Sequence, residues 1–272
     1  MDLNSKEIQL QYEGFLQTPL LWKSKEIFGL EQLNLPKKQV TVFEENIQKK
    51  LRLGKRVERF VCNELNQYKT ITVLKENIQI QDGNTTIGEI DCLLKQQNKP
   101  IHLEIVYKFY LYDKTVGSTE LEHWIGPNRK DSLIKKLTKL KGKQLPLLFK
   151  PQTKPYLEKI KIHTKEIKQL VYFKAQLFIP FQLKNYTFKL INNNCIKGFY
   201  IYFQELSQFS NCKFYIPTKV NWLLETQIFV NWLSYDEFKH KTNVFIQNKT
   251  SPLCWVKQPN GEIYKIFIVW WK

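Results

Sequence analysis

The chain has 272 residues, 43% of them hydrophobic and 14% aromatic, enough to bury a substantial core and to exclude a disordered polymer. Lys and Arg number 42 against 25 Asp and Glu, and the formal net charge of +17 makes nucleic acid the expected partner, with evenly solvated surface lysines as the alternative. Five scattered cysteines (Cys62, Cys92, Cys195, Cys212, Cys254) without a C-x-x-C pair suggest neither a disulfide framework nor a thiolate zinc site, and four separated histidines offer no zinc spacing. The start "MDLNSKEIQLQYEG" lacks a signal-peptide pattern, and "IFIVWW" is far shorter than the roughly 20 residues of a membrane span, so a cytoplasmic protein without membrane attachment is expected.

Residues 1–50 mix short helical patterns with Pro19 and Pro36, and "YEGFLQTPLLW" reads as an arm that packs on the body of the protein. From Leu53, "LGKRVERFVCNELNQY" places Val57, Val61 and Leu65 at i, i+4 and i+8, one buried helical stripe. Next come the strand "TITVLKENIQIQ", the turn "DGNT", the strand "TIGEIDCLLK", the turn "QQNKP" and the strand "IHLEIVYKFYLY". The segment "SLIKKLTKLKGKQLPLL" sets Leu133, Leu137 and Leu140 on one face and Lys135, Lys136 and Lys139 on others, an amphipathic basic helix. "FKPQTKPYLEK" reads as a boundary. Beyond it "AQLFIPFQL", "GFYIYFQEL" and "CKFYIPT" are aromatic-rich β segments, "WLLETQIFVNWL" is a short helical interlude, and an Asn-Gly turn in "PNGE" closes a final hairpin. The expected organisation is an arm over 1–50, a core over 51–150 and a β-rich extension over 151–272.

The middle and last strands of the meander each carry an acid inside an apolar run, Asp91 in "GEIDCLL" and Glu104 in "HLEIVYKF". Strand alternation puts Glu104, Val106 and Lys108 on one face and Asp91 with Glu89 on another, and the connecting turn can bring Asp91 to Glu104. Two such carboxylates repel unless they are protonated or bridged by a cation, and hard oxygen ligands without nearby His or Cys favour Mg²⁺ or Mn²⁺. Glu58 on the preceding helix is a third candidate, although pairing with Lys55 or Arg56 on a solvated face explains it equally well. Lys108 alone could equally snorkel from an edge strand.

A helix with Glu58, a strand, a strand with Asp91, a strand with Glu104 and then Lys108, and a basic helix resemble, in that order, the PD-(D/E)XK nuclease superfamily with its restriction-endonuclease-like fold. More narrowly, "LGKRVERF", "GEIDCLL", "LEIVYKFYL", "WIGPN" and "KQLPLL" look like a bacterial family of unknown function numbered eighteen fifty-three, from "TPLLW" to about residue 150, with "PTKVNWL" a further match. The resemblance implies an α/β (α+β) core, a mixed central sheet flanked by helices. It also implies Asp91, Glu104 and the Ile105 carbonyl as metal ligands, Glu58 near the metal, and a catalytic lysine. That lysine ordinarily sits two residues after the Glu, where this chain has Val106; Lys108 is about 6.8 Å further along the same face.

The expected chemistry is metal-dependent phosphodiester hydrolysis on nucleic acid, DNA ahead of RNA, with Lys108 offsetting transition-state charge. From Arg129 to Lys143 seven basic residues face a single acid, Asp131, and Arg129, Lys130, Lys135, Lys136 and Lys139 are the candidate phosphate contacts. Trp222, Trp232, Trp255 and Trp270 could stack on bases, although such residues more often fill a core. An inactive nucleic-acid-binding module and a protein-interaction module on the same fold are the competing classes.

Overall fold

The computed structural model describes residues 3–36, 41–44, 47–48, 50–183 and 186–272; residues 1–2, 37–40, 45–46 and 49 of the expected arm lie outside them. The fold is mixed α/β with a central mixed sheet. Two compact units interleave along the chain, one built from residues 20–107 and 135–174, the other from 1–19, 108–134 and 175–272. Among the described residues no helix is long and apolar enough to cross a membrane. All five cysteines are unbridged, and all but Cys212 are buried.

In the first unit, a two-residue hairpin pairs β1 (Glu26–Ile27) with β2 (Leu30–Glu31) through Phe28 and Gly29, both at positive φ. Helix α2 (Leu53–Asn66) buries Val57, Phe60, Val61 and Leu65, so the expected stripe is the core face. The meander follows as β3 (Ile71–Asp82), β4 (Thr85–Gln96) and β5 (Lys99–Tyr112), antiparallel throughout. The basic segment is only partly regular α-helix: α3 (Leu133–Lys139) widens into a π-turn at Leu140–Gln144 and tightens to 3₁₀ over Leu145–Phe149, where Pro146 removes a backbone donor. Gly88 of β4 lets the 3₁₀ segment lie against the strand, since a Cβ there would meet Leu147 Cδ2 at 2.7 Å. A short helix, α4 (Lys154–Lys159), occupies the expected boundary, and β7 (Lys168–Pro180) begins beyond it; β6 (Trp124–Ile125), the two-residue strand after β5, belongs to the second unit.

In the second unit, α1 (Leu3–Gln17) buries Tyr12 and Phe15 and approaches the 3₁₀ turn Lys219–Leu223, where Gln11 Nε2 donates to Asn221 Oδ1 at 2.6 Å. The sheet here runs from the end of β7 through β8 (Ile196–Tyr202) and β11 (Ile263–Val269) to β10 (Leu253–Lys257) and β9 (Lys213–Tyr215). β8 is parallel to both β7 and β11, and the β10–β11 hairpin turns at Gly261, φ 91°. The expected helical interlude is instead the 3₁₀ turn followed by an irregular segment exposing Ile228 and Phe229, and the helix is α5 (Tyr235–Gln247), capped by Ser234 and Glu237. Apolar residues in "LLETQIFVNWL" mimic a helix period, whereas α5 buries only Phe238 and Thr242, too thin a stripe to read.

The approach of α1 has a measurable consequence. A Cβ on Gly14 would fall 2.0 Å from the Leu223 carbonyl oxygen, a backbone atom. Helix propensity alone favours Ala over Gly by about 1 kcal/mol, but the clash has the opposite sign. Gly14→Ala is expected to destabilise by about 2–3 kcal/mol in urea unfolding; a stabilised variant would mean that the helix and the turn are not packed this closely.

Candidate functional site

The acids of the meander converge in the unit formed by residues 20–107 and 135–174. Pairing between β4 and β5 runs from Gln96↔Lys99 to Cys92↔Leu103 and stops there. The next residue, Asp91, replaces the ladder with its side chain: Ile105 N–H donates to Asp91 Oδ2 at 2.9 Å. This local substitution holds Asp91 beside the end of the paired segment and brings it to Glu104, which is completely buried. Ile105 thus enters the site through its N–H.

Glu104 is held from both sides. His102, two residues earlier on the same face of β5, places Nε2 at 2.9 Å from Glu104 Oε1. Gln169 Nε2 donates to His102 Nδ1 at 2.9 Å, which assigns the remaining ring proton to Nε2 and makes it the donor to Glu104. Burial pushes the His102 pKa down to about 4, against the pull of Asp91, so the imidazole is neutral at neutral pH. On the other oxygen, Gln144 Nε2 donates to Glu104 Oε2 at 2.5 Å, while Gln144 Oε1 accepts from Lys136 Nζ at 2.7 Å. The π-turn is what carries Gln144 to this position.

Desolvation raises Asp91 to about 7; the charge of Glu104 adds to it, and the Ile105 N–H and the Lys136 charge oppose it. Desolvation likewise raises Glu104 to about 7, offset by Lys136 and by hydrogen bonds from Asp91. These shifts describe a pair that retains a shared proton near neutrality. Glu58 is also raised to about 7, by burial first and then, against Lys55, by Asp91 and Glu89. Lys55 donates to Glu58 Oε2 at 2.8 Å, to Asn77 Oδ1 at 2.7 Å and to Glu89 Oε1, so the local ion pair and the approach to Asp91 coexist.

The other expected residues divide. Lys136 is half-buried within electrostatic reach of both acids, whereas Lys135 and Lys139 on the same helix are exposed. Lys108 belongs to the other unit, where its Nζ donates to Asp131 Oδ2 at 2.6 Å. Val106 is buried. Arg129 pairs with Asp113 Oδ2 at 2.8 Å and covers the Trp271 ring at 4.6 Å, and Lys130 is exposed. Trp255 is fully buried and Trp222 packs edge-on against Phe267, while Trp232 and Trp270 are partly exposed beneath Lys257 and Lys249.

Sequence reasoning passed over His102, Gln144 and Gln169, and assigned Lys136 to the nucleic-acid backbone. For two of these a signal existed. His102 and Glu104 alternate on one strand face. At about 100° per residue, Lys136 lies about 60° from Leu133 at the edge of the apolar stripe, while Lys135 and Lys139 lie on the far side. Gln144 and Gln169 carry no such signal.

Among the described residues no three His, Cys, Asp or Glu side chains are gathered to hold one metal ion. The two carboxylates that lie side by side here are those of Asp91 and Glu104. Comparison with curated proteins and with solved structures finds no match. The model of the family described as Domain of unknown function (DUF1853) matches residues 23–269, nearly the whole length, and the chain belongs to that family.

Proposed function

We propose that the chain is a divalent-metal-dependent nuclease on a restriction-endonuclease-like, PD-(D/E)XK core, cutting DNA. The observation that carries this reading is the pairing of Asp91 with buried Glu104, both raised toward neutrality and both facing the Lys136 charge. Placing two acids in this environment costs stability that a cation would recover. Two carboxylates fit Mg²⁺ or Mn²⁺, since Mg²⁺ is commonly held by one or two carboxylates with waters and substrate phosphate oxygens completing the shell. Such an ion, when bound, polarises a phosphoryl oxygen and lowers the pKa of a bound water.

The chain's own residues supply the rest. His102 and Gln144 orient the Glu104 carboxylate, each using one lone pair per oxygen and leaving others for a cation. Lys136, tied to Gln144, is the cation placed to offset charge on a phosphate bound there. Plasmid, branched and single-stranded DNA should be cut with Mg²⁺ or Mn²⁺ by the wild type, and cutting should fall by at least about 10³-fold in Glu104→Gln. A folded wild type that binds DNA but cuts none of them would support the inactive binding module instead.

A further inference from the structure

Beyond Gln144 the chain enters a strongly basic stretch. Residues 150–165 carry five lysines, Lys150, Lys154, Lys159, Lys161 and Lys165, against a single acid, Glu158. This stretch and the end of the preceding 3₁₀ turn enclose an open cleft of about 600 Å³, the size of a small-ligand site. Its floor is apolar. Leu148, Leu157 and Ile162 line it and belong to the core cluster that includes Ile90 and Leu93 of β4. Phe149, a residue 59% exposed, forms part of the lining and leaves a flat aromatic face open to a ligand.

Lys150 and Lys154 also line the cleft and are exposed, together with the acid Glu158 and with His163. Lys154 meets Glu158 only at 3.7 Å, with 75% and 64% of the two side chains open to solvent, a screened pair that yields readily to a stronger anion. An acidic peptide would be served by the lysines alone. The combination with an apolar floor and an exposed ring suits a ligand that is anionic along one side and flat and aromatic on the other, which is the chemistry of a nucleotide.

We infer that this cleft is a nucleotide subsite, in which a base of a single strand stacks on Phe149 while flanking phosphates meet Lys150 and Lys154. Base stacking gives affinity without sequence preference, and the lysines make it salt-dependent. The inference deepens the nucleic-acid reading above and rests on its substrate class, but requires neither Asp91 nor Glu104 nor a divalent ion.

The test is fluorescence anisotropy in EDTA with a short labelled DNA strand and an abasic strand carrying the same phosphates. Wild type is expected to bind the strand with bases about 5- to 100-fold more tightly. Phe149→Ala should lose most of that preference and Phe149→Trp should keep it, while Lys150→Gln with Lys154→Gln should weaken both strands and flatten the salt slope by about 0.7 per lost contact. Thermal melts establish that each variant is folded, and Phe149→Leu replaces Phe149→Ala if the latter is not. Equal binding of the two strands by wild type, or an unchanged preference in the folded variant lacking the ring, overturns the subsite. So does polyglutamate binding as tightly as DNA, which would assign the cleft to acidic proteins. With EDTA present, these outcomes judge the subsite alone, whereas cleavage with Mg²⁺ or Mn²⁺ judges the acid site alone.

Discussion

Asp91→Asn is expected to abolish Mn²⁺ binding and, at the same time, to stabilise the metal-free protein at pH 8. Asn retains a side-chain oxygen to accept from Ile105 N–H, so the local geometry survives while the charge is removed. In the wild type Asp91 is raised to about 7 by burial and by Glu104, well above its ordinary carboxylate value. The unfolded chain therefore releases this proton more readily than the folded one. Stability from this group is fully present below about pH 4 and is lost as the pH rises through about 7.

Removing the carboxylate should return on the order of 2 kcal/mol at pH 8, a rise of several degrees in Tm, with the gain shrinking toward nothing as the pH approaches 4. Saturating Mn²⁺ should raise the Tm of the wild type and leave the variant unchanged, because only a folded state that binds the ion gains from mass action. Calorimetric titration and melts from pH 4 to 8 (on the order of one unit apart) are the measurements. A variant that binds Mn²⁺ like the wild type, or that is less stable at pH 8, would remove the repelled acid pair as a metal site.

Lys136→Ala should lower cleavage by about 10²- to 10³-fold while leaving Mn²⁺ affinity intact or slightly higher when it is measured at about pH 9, where both acids are ionised and protons no longer compete with the ion. Lys136 acts electrostatically on both Asp91 and Glu104 and is tethered through Gln144, which fixes its ammonium relative to Glu104. Removing a neighbouring positive charge cannot weaken cation binding by Coulomb repulsion, so a loss confined to rate separates a role toward the phosphate from a role in holding the metal. Lys108→Ala should stay within a few-fold of wild type, because its ammonium is engaged by Asp131. Single-turnover rates and Mn²⁺ titrations on both variants decide between the two lysines. Full activity in Lys136→Ala together with loss in Lys108→Ala would restore the strand lysine.

By itself the sequence determined the elements whose signals are local. The α2 stripe of Val57, Val61 and Leu65, the three-strand meander and the Asn-Gly hairpin follow from periodicities of 3.6 and 2 and from turn chemistry, each confined to a few neighbouring residues. The same local logic singled out Asp91 and Glu104, since a charge inside an apolar strand is visible without knowing its neighbours. That the Lys136 charge acts on both acids while Lys108 pairs with Asp131 is set by tertiary structure alone: strand alternation orders residues along β5 but says nothing of what α3 brings against the acids. That approach depends on Leu133, Leu137 and Leu140 being buried and on a π-turn that redirects Gln144, features set by packing between segments distant in sequence. For the same reason the interleaving of the two units escaped a linear reading: β5 and β7 each continue from one unit into the other, and composition along the chain does not change where they do so.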